Sequence, residues 1–172
     1  MPWILDGNNL LAQSREQNLK DPHGRVRLIR ELSEFCRQKG RTMTVVFDGD
    51  PDPLIPGRDV SLGPLRVIFS GRGREADSVI LELLGHLADP AGTTVVTSDR
   101  SLSDRARHTR AKTLRSHLFR ATLREMAIDA PPSNEDRLTP GEIEEWTRYF
   151  SKERRDEKEE ALDPGFRRDD ER

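Results

Sequence analysis

Apolar positions along the chain fall into short continuous runs and longer stretches of helical spacing, and the two kinds alternate. Residues 3–5 (Trp3, Ile4, Leu5) form a short apolar run that stops at Asp6-Gly7-Asn8-Asn9, a composition that favours a turn, so a first buried strand is read as ending at Asp6. Over residues 25–39, Val26, Ile29, Leu32, Phe35 and Cys36 recur at helical spacing and Gly40 supplies a stop, which predicts an amphipathic helix. Residues 42–47 (TMTVVF) are rich in β-branched side chains and run into Asp48-Gly49-Asp50-Pro51, so the second strand also ends on an aspartate. Residues 50–64 carry four prolines with Gly57 and Gly63 and predict a long loop. A third strand is expected over 65–69. Ser70-Gly71-Arg72-Gly73 then turns into a helix from about Glu75, with Ala76, Val79, Ile80, Leu83, Leu84 and Leu87 on one face.

Asp89-Pro90-Ala91-Gly92 breaks that helix, and residues 93–97 (TTVVT) give a fourth strand that runs into Ser98-Asp99. A shorter helix over 102–108, an edge strand over 112–114 and a helical stretch over 118–127 complete the series. Strands and helices alternating at these lengths predict an α/β fold: a central, mostly parallel sheet with helices on both faces, in three layers. After Pro131-Pro132 the pattern changes. Thr139-Pro140-Gly141-Glu142 has the form of a capping box with proline at the first helical position, so a helix is expected to show Ile143, Trp146 and Phe150 on one side. Three regions follow: a domain at 1–130, a helix within 131–152 that docks on the domain or on a partner, and a charged tail at 153–172 decaying into disorder.

Composition sharpens this division. Apolar residues make up 33% of the chain and charged residues 35%, which is poor in core material for its 172 residues and leaves some of it outside the core. The net charge of −2 hides an asymmetry, because residues 1–134 carry +3 and residues 135–172 carry −5. Between Arg100 and Arg124 stand Arg105, Arg107, Arg110, Lys112, Arg115 and Arg120 against Asp104 alone. Such a local excess attracts phosphate, although a solvated basic face has the same composition. The lone cysteine, Cys36, has no partner for an intramolecular disulfide and sits in the apolar stripe of its helix, where it reads as a small hydrophobe. No apolar run approaches the ~18 residues that span a bilayer, and the N-terminal residues do not read as a secretory signal. The expectation is a cytoplasmic protein with no membrane association.

The candidate chemistry lies where the strands stop. In open parallel sheets ligands bind at the carboxyl ends of the strands. Asp6, Asp48 and Asp99 all fall at such ends, and Asp77 lies in the first turn of the helix after the third strand. Taken singly, an aspartate at a strand end is usually a turn or capping residue; the repetition is what points elsewhere. Crowded carboxylates repel and raise one another's pKa unless a cation sits among them. Oxygen ligands without a histidine or cysteine at useful spacing favour Mg²⁺ or Mn²⁺ over zinc, and hydrolysis of a phosphodiester is the natural reaction. Asp6, Asp77 and Asp99 are therefore expected to converge within reach of a common cation, roughly 4 to 8 Å apart. Arg72, Arg74 and the basic stretch that includes Arg100 and Arg105 would hold a polynucleotide backbone by charge, without base specificity. Asp50 and Asp52 read as loop residues, Gly71-Arg72-Gly73 as a plain turn, and His86, His108 and His117 as surface histidines.

Four stretches in order, ILDGNNLL at 4–11, VVFDGD at 45–50, VIFSGRGREADSVI at 67–80 and VVTSDRSL at 95–102, resemble the NYN branch of the PIN-like ribonucleases and its YacP-like members in particular. Each stretch alone is weak; their order and spacing, over roughly residues 3–120, carry the resemblance. It implies a PIN-like fold at 1–130 and Mg²⁺- or Mn²⁺-dependent endoribonuclease activity at an acidic site. By motif the metal-binding acids fall on Asp6, Asp77 and Asp99, Asn8 matches an asparagine that orients a ligand or water, and Asp48 matches the FDG element. Ser98 precedes the last aspartate and is placed with the arginines on the RNA, and Asp104 stands where some PIN-like proteins carry an additional acid. The chain departs from the usual Asp-Gly-Tyr-Asn, leaving the polar role to either Asn8 or Asn9, and Arg110-Ala111 replaces a Gly-Ala pair before the last strand.

Three functions are open at this stage. The first is an endoribonuclease that hydrolyses RNA with a metal-activated water, Asp48 and Asp104 assisting through water. The second is a non-catalytic RNA- or ribosome-binding module of the same fold that keeps the acids as a relic or a regulatory metal site; under either reading, RNA is the expected partner, with the ribosome and a second copy of the chain, through the C-terminal helix, as further candidates. The third is a phosphatase with Asp48-Gly49-Asp50 as its D-x-D, which is disfavoured because such enzymes carry that motif on the first strand.

Overall fold

The computed structural model describes residues 2–13, 23–51, 53, 55 and 57–129. The chain divides into two units, 1–133 and 134–172, and the second lies outside the described residues. So do the expected helix with Ile143, Trp146 and Phe150, the charged tail and loop residue Asp52.

Strand β1 (Trp3–Asp6) leads directly into helix α1 (Gly7–Ala12), where the composition had favoured a turn. The Asp6 side chain accepts from the Asn9 amide at 3.0 Å and so caps the helix. Aspartate, glycine and asparagine serve helix starts as well as turns, and Leu10 and Leu11, both buried, decide between the two by packing. Gly7 has a further cause. A Cβ at this position would lie 2.5 Å from two ring carbons of Phe47, so only glycine lets α1 settle on the sheet.

Helix α2 (Gly24–Lys39) buries Val26, Leu28, Ile29, Leu32, Phe35 and Cys36 and ends at Gly40 in the left-handed conformation, as the spacing predicts. Burial pushes the Cys36 thiol up to about 11, which suits a core hydrophobe rather than a nucleophile. After β2 (Met43–Phe47), the expected loop contains a further strand, β3 (Asp59–Leu62), which forms an antiparallel hairpin with β4 (Leu65–Phe69) across Gly63-Pro64. Four residues with one buried side chain give too little alternation to stand out among prolines and glycines. Helix α3 (Ala76–His86), β5 (Thr94–Val96), helix α4 (Arg100–His108), β6 (Lys112–Leu114) and helix α5 (Ser116–Asp129) follow, close to the expected spans.

The sheet order is β3-β4-β2-β1-β5-β6, parallel throughout except for the β3–β4 pair. One face carries Ile4, Val46, Ile68 and Val95 against Ala76, Val79, Ile80 and Leu84 of α3 and Leu102 and Ala106 of α4. On the other, Trp3 and Phe35 both pack on Phe119 of α5 at ring separations of 5.5 Å, and Phe47 stacks on Phe69. Full burial of each such side chain contributes about 1.5–3 kcal/mol, so both layers anchor the sheet between them. Arg120 belongs to this second layer: it is 5% exposed, donates to the Leu10 carbonyl at 3.3 Å and pairs with Glu31. It is thus withdrawn from the basic stretch read in the sequence. Among the described residues no helix is long and apolar enough to cross a membrane.

Candidate active site

The connection from β1 to β2 runs through α1 and α2, whereas the chain leaving β4 crosses by α3 to β5 on the opposite side of β1. Strand order therefore reverses between β1 and β5, and the carboxyl ends at such a reversal are where open parallel sheets bind their ligands. Asp6 closes β1, and Thr97, Ser98 and Asp99 follow β5. Alternation along β1 puts Asp6 on the same face as Ile4, the face covered by α3, whose first turn carries Asp77.

Hydrogen bonds tie the two strand ends together. The Thr97 hydroxyl donates to Asp6 Oδ2 at 3.1 Å and accepts from the Asp99 amide at 3.1 Å, so one buried hydroxyl serves both acids. The Ser98 amide donates to Asn9 Oδ1 at 3.2 Å, and Ser98 Oγ accepts from the Ser116 amide at 3.1 Å. Asp99 caps α4 through the Leu102 amide at 2.8 Å and remains exposed. At β2, Asp48 Oδ2 accepts from Asn8 Nδ2 at 2.8 Å and Asp48 Oδ1 from the Ala76 amide at 2.6 Å. Both asparagines after Asp6 are thus engaged, Asn8 towards Asp48 and Asn9 towards Ser98.

The electrostatics follow from this placement. Asp6 is 5% exposed, and burial pushes its carboxyl up to about 6 against the opposing pull of the Asn9 amide and the Thr97 hydroxyl, with Asp77 and Asp48 adding repulsion. Burial also raises Asp77, helped by the negative charges of Asp99, Asp48 and Glu75, while Arg105 opposes the rise. Asp6, Asp48, Asp77 and Asp99 therefore form one field of negative charge. Among the described residues no donor hydrogen-bonds to the Asp77 carboxylate, and Asn8 Oδ1 is buried without a partner. Acceptor oxygens exceed donors here, which is the composition a hard cation satisfies. Among the described residues no three His, Cys, Asp or Glu side chains are grouped so as to hold a metal ion together.

Other positions named for the site lie on the surface around it or in turns. Asp104 is exposed on α4 and pairs with Arg107 at 3.4 Å. Arg72 pairs with Asp50 at 2.9 Å and Arg74 pairs with Glu82, all four on the surface. Arg100 and Arg105 are exposed at the start and middle of α4, and Arg105 is the cation whose charge reaches Asp77. Gly71-Arg72-Gly73 is a turn, with positive φ at both glycines and the Arg58 guanidinium lying over Gly71. His86 and His108 bond carbonyls one turn back in their own helices, away from metal chemistry.

Sequence reasoning missed three supports. Thr97 lies within the VVTSDRSL stretch but was given no role there, although its place beside Ser98-Asp99 was a signal. Ser70, 2% exposed, accepts from the Gly49 amide at 3.0 Å and donates to the Arg74 carbonyl at 2.6 Å, which binds the loop after β2 to the approach of α3. Arg25 reaches from α2 to the Asp48 carbonyl at 2.8 Å over the Phe47 and Phe69 rings. Neither is visible in linear spacing.

The crystal structure of Rae1 (YacP) from Bacillus subtilis superimposes with a TM-score of 0.61 at 20% identity, covering 94% of this chain and 90% of that one. A crystal structure of a tryptophan-to-leucine mutant of the same Bacillus subtilis protein gives a TM-score of 0.58 at 22% identity, over 94% of this chain and 100% of that one. At such identities the likeness shows the fold, a mostly parallel six-stranded α/β sheet. No curated protein sequence matches the chain. The model of the YacP-like NYN domain matches residues 3–163, well beyond the stretch over which the four motifs are recognisable. The chain with this acidic site belongs to the YacP-like NYN domain family.

Proposed function

We propose that the protein is a divalent-metal-dependent endoribonuclease that hydrolyses RNA phosphodiester bonds. The observation that carries this reading is the buried Asp6 carboxyl at the strand-order reversal, raised to about 6 with Asp77 and Asp48 adding to its burial. A fold that buries one carboxyl with other acids close by, at the usual ligand position of an open sheet, spends stability on it, and a cation is what offsets it. The nuclease-like family is a second support.

Asp6, Asp77 and Asp99 would hold Mg²⁺ or Mn²⁺. Such an ion, when bound, lowers the pKa of a water and neutralises charge building on a phosphate. Magnesium commonly takes one or two carboxylates directly and completes its shell with water and substrate phosphate, so the remaining acid of the three would act through a bound water. Thr97 and Asn9 fix the two strand ends, so the acids are held before substrate arrives. Asn8, whose Nδ2 serves Asp48, would support the site from α1. Arg100 and Arg105 would take backbone phosphates beside the acids, with Ser98 next to Asp99 on the same RNA. Arg72 and Arg74 can join them, because exposed ion pairs are worth about 0–1 kcal/mol and exchange readily for phosphate. Contacts of this kind read the backbone rather than the bases.

The decisive measurement is cleavage of a free single-stranded RNA with Mg²⁺ or Mn²⁺ and with a chelator. Metal-dependent cutting that disappears in both Asp6→Asn and Asp99→Asn is expected. RNA bound by the wild-type protein but left intact under every metal condition would make it the non-catalytic binding module instead.

A further inference from the structure

We infer that Asp48 is a positioning residue: it acts through its two acceptor oxygens, as the cap of α3 and the clasp on α1, and its negative charge is not what the site uses. The catalytic consequence rests on the endoribonuclease reading above.

Helix α3 lacks a cap of its own. Glu75, in the capping position, makes no side-chain hydrogen bond to the helix start. The first amides of a helix need an acceptor, normally supplied by the residue just before it. Here the acceptor comes from another strand, because Asp48 Oδ1 takes the Ala76 amide at 2.6 Å. Its other oxygen takes Asn8 Nδ2 of α1 at 2.8 Å, and its carbonyl takes Arg25 of α2 at 2.8 Å. Asp6 immediately precedes α1, and Asp77 immediately follows Ala76. Asp48 therefore fixes the separation of two acids through the helices next to them.

Nearby backbone contacts serve the same end. The Ser70 amide donates to the Phe47 carbonyl at 2.9 Å and the Gly71 amide to the Gly49 carbonyl at 2.8 Å, holding the approach to α3 against the exit of β2. The contrast with Asp77 is direct. Each Asp48 oxygen is occupied by a protein donor, whereas no donor among the described residues reaches Asp77.

Asn8 makes the inference testable. Its Oδ1 is buried and unpartnered while its Nδ2 serves Asp48. An Asp48→Asn side chain can keep its oxygen on the Ala76 amide and give its N–H to Asn8, once the Asn8 amide turns over and presents the idle oxygen. Asp48→Ala has no such recourse.

The experiment compares wild type, Asp48→Asn and Asp48→Ala by RNA cleavage, by the Mn²⁺ concentration giving half-maximal rate, and by hydrogen exchange at the Ala76 amide. Asp48→Ala is expected to lower kcat on the order of a hundredfold, the cost of a small misplacement of reacting groups, with KM for RNA little changed. Asp48→Asn should recover to within about tenfold of wild type at a similar Mn²⁺ requirement. Equal losses in both variants, with a higher Mn²⁺ requirement in each, would overturn the inference and make the Asp48 charge a direct participant. Amide exchange decides without activity: Ala76 should exchange slowly in wild type and Asp48→Asn and fast in Asp48→Ala, and equal rates in all three would also overturn it. If wild type cuts no RNA, the endoribonuclease reading fails by itself, and exchange still reports on the cap.

Discussion

Two charged regions of this sheet behave in opposite ways. At the β3–β4 edge, Asp59 receives both Arg66 Nε at 2.8 Å and Arg66 Nη2 at 2.5 Å, and the side chains are 49% and 46% exposed. The pair holds the Arg66 guanidinium further above its ordinary value, chiefly through that hydrogen bonding, and leaves no charge unanswered. At the β1–β5 strand ends, Asp6 is almost wholly buried and meets further acids instead of a base. Solvent and a partner make the first region inert; burial and like charge make the second costly. Function is to be sought where a fold tolerates the costly arrangement.

The largest effect expected from breaking this contrast is at Asp6. Asp6→Asn should abolish cleavage and at the same time stabilise the protein by about 1–3 kcal/mol at pH 7, because the charged form is what burial penalises. The sign is fixed by the shift. Folded Asp6 titrates near 6 and the ordinary value is 3.8, so its contribution favours folding below about 4 and is lost as the pH rises through 6. Urea denaturation should therefore show the variant's advantage at pH 7 and little of it at pH 4. Mn²⁺ should stabilise the wild type at pH 7 and the variant much less; a variant less stable than wild type at pH 7 contradicts the assignment.

Gly7→Ala comes next. Its methyl group collides with the fully buried Phe47 ring, so a destabilisation of about 1–3 kcal/mol is expected, with loss of cleavage as Asp6 shifts with α1. Thermal melting and the cleavage assay check both parts. Thr97→Val removes the hydroxyl shared by Asp6 and Asp99 at nearly constant volume and should cost about 1–2 kcal/mol in denaturant unfolding, most of it regained in Thr97→Ser. The smallest effect belongs to the other region. Arg66→Ala should change stability by at most about 1 kcal/mol and leave RNA cleavage as it was; a cleavage defect there would dissolve the distinction between the two edges.

Much of the site was legible because its residues stand where local patterns end. A β-branched run followed by Asp-Gly marks Asp48, and a similar run before Ser98-Asp99 marks the fourth predicted strand end. The helix start carrying Asp77 was legible from Ala76, Val79 and Ile80. The turn read at Asp6-Gly7-Asn8-Asn9 was a helix start because these residues suit both, and only packing of Leu10 and Leu11 separates them. Strand β3 escaped because its stability comes from pairing with β4, not from its own four residues. Arg120 looked like part of a basic face until α5 turned it towards Leu10 and Glu31.

The order of strands and helices, β3 and α1 excepted, and the placing of acids at strand ends were determined by the sequence alone, since periodicity and turn chemistry act over a few neighbouring residues. Tertiary structure alone decided that β5 lies beside β1, that Thr97 reaches an acid 91 positions away, and which arginines remain near the acids. The physical reason is that the energy of a charge depends on its distances and on the water around it, and spacing along the chain specifies neither.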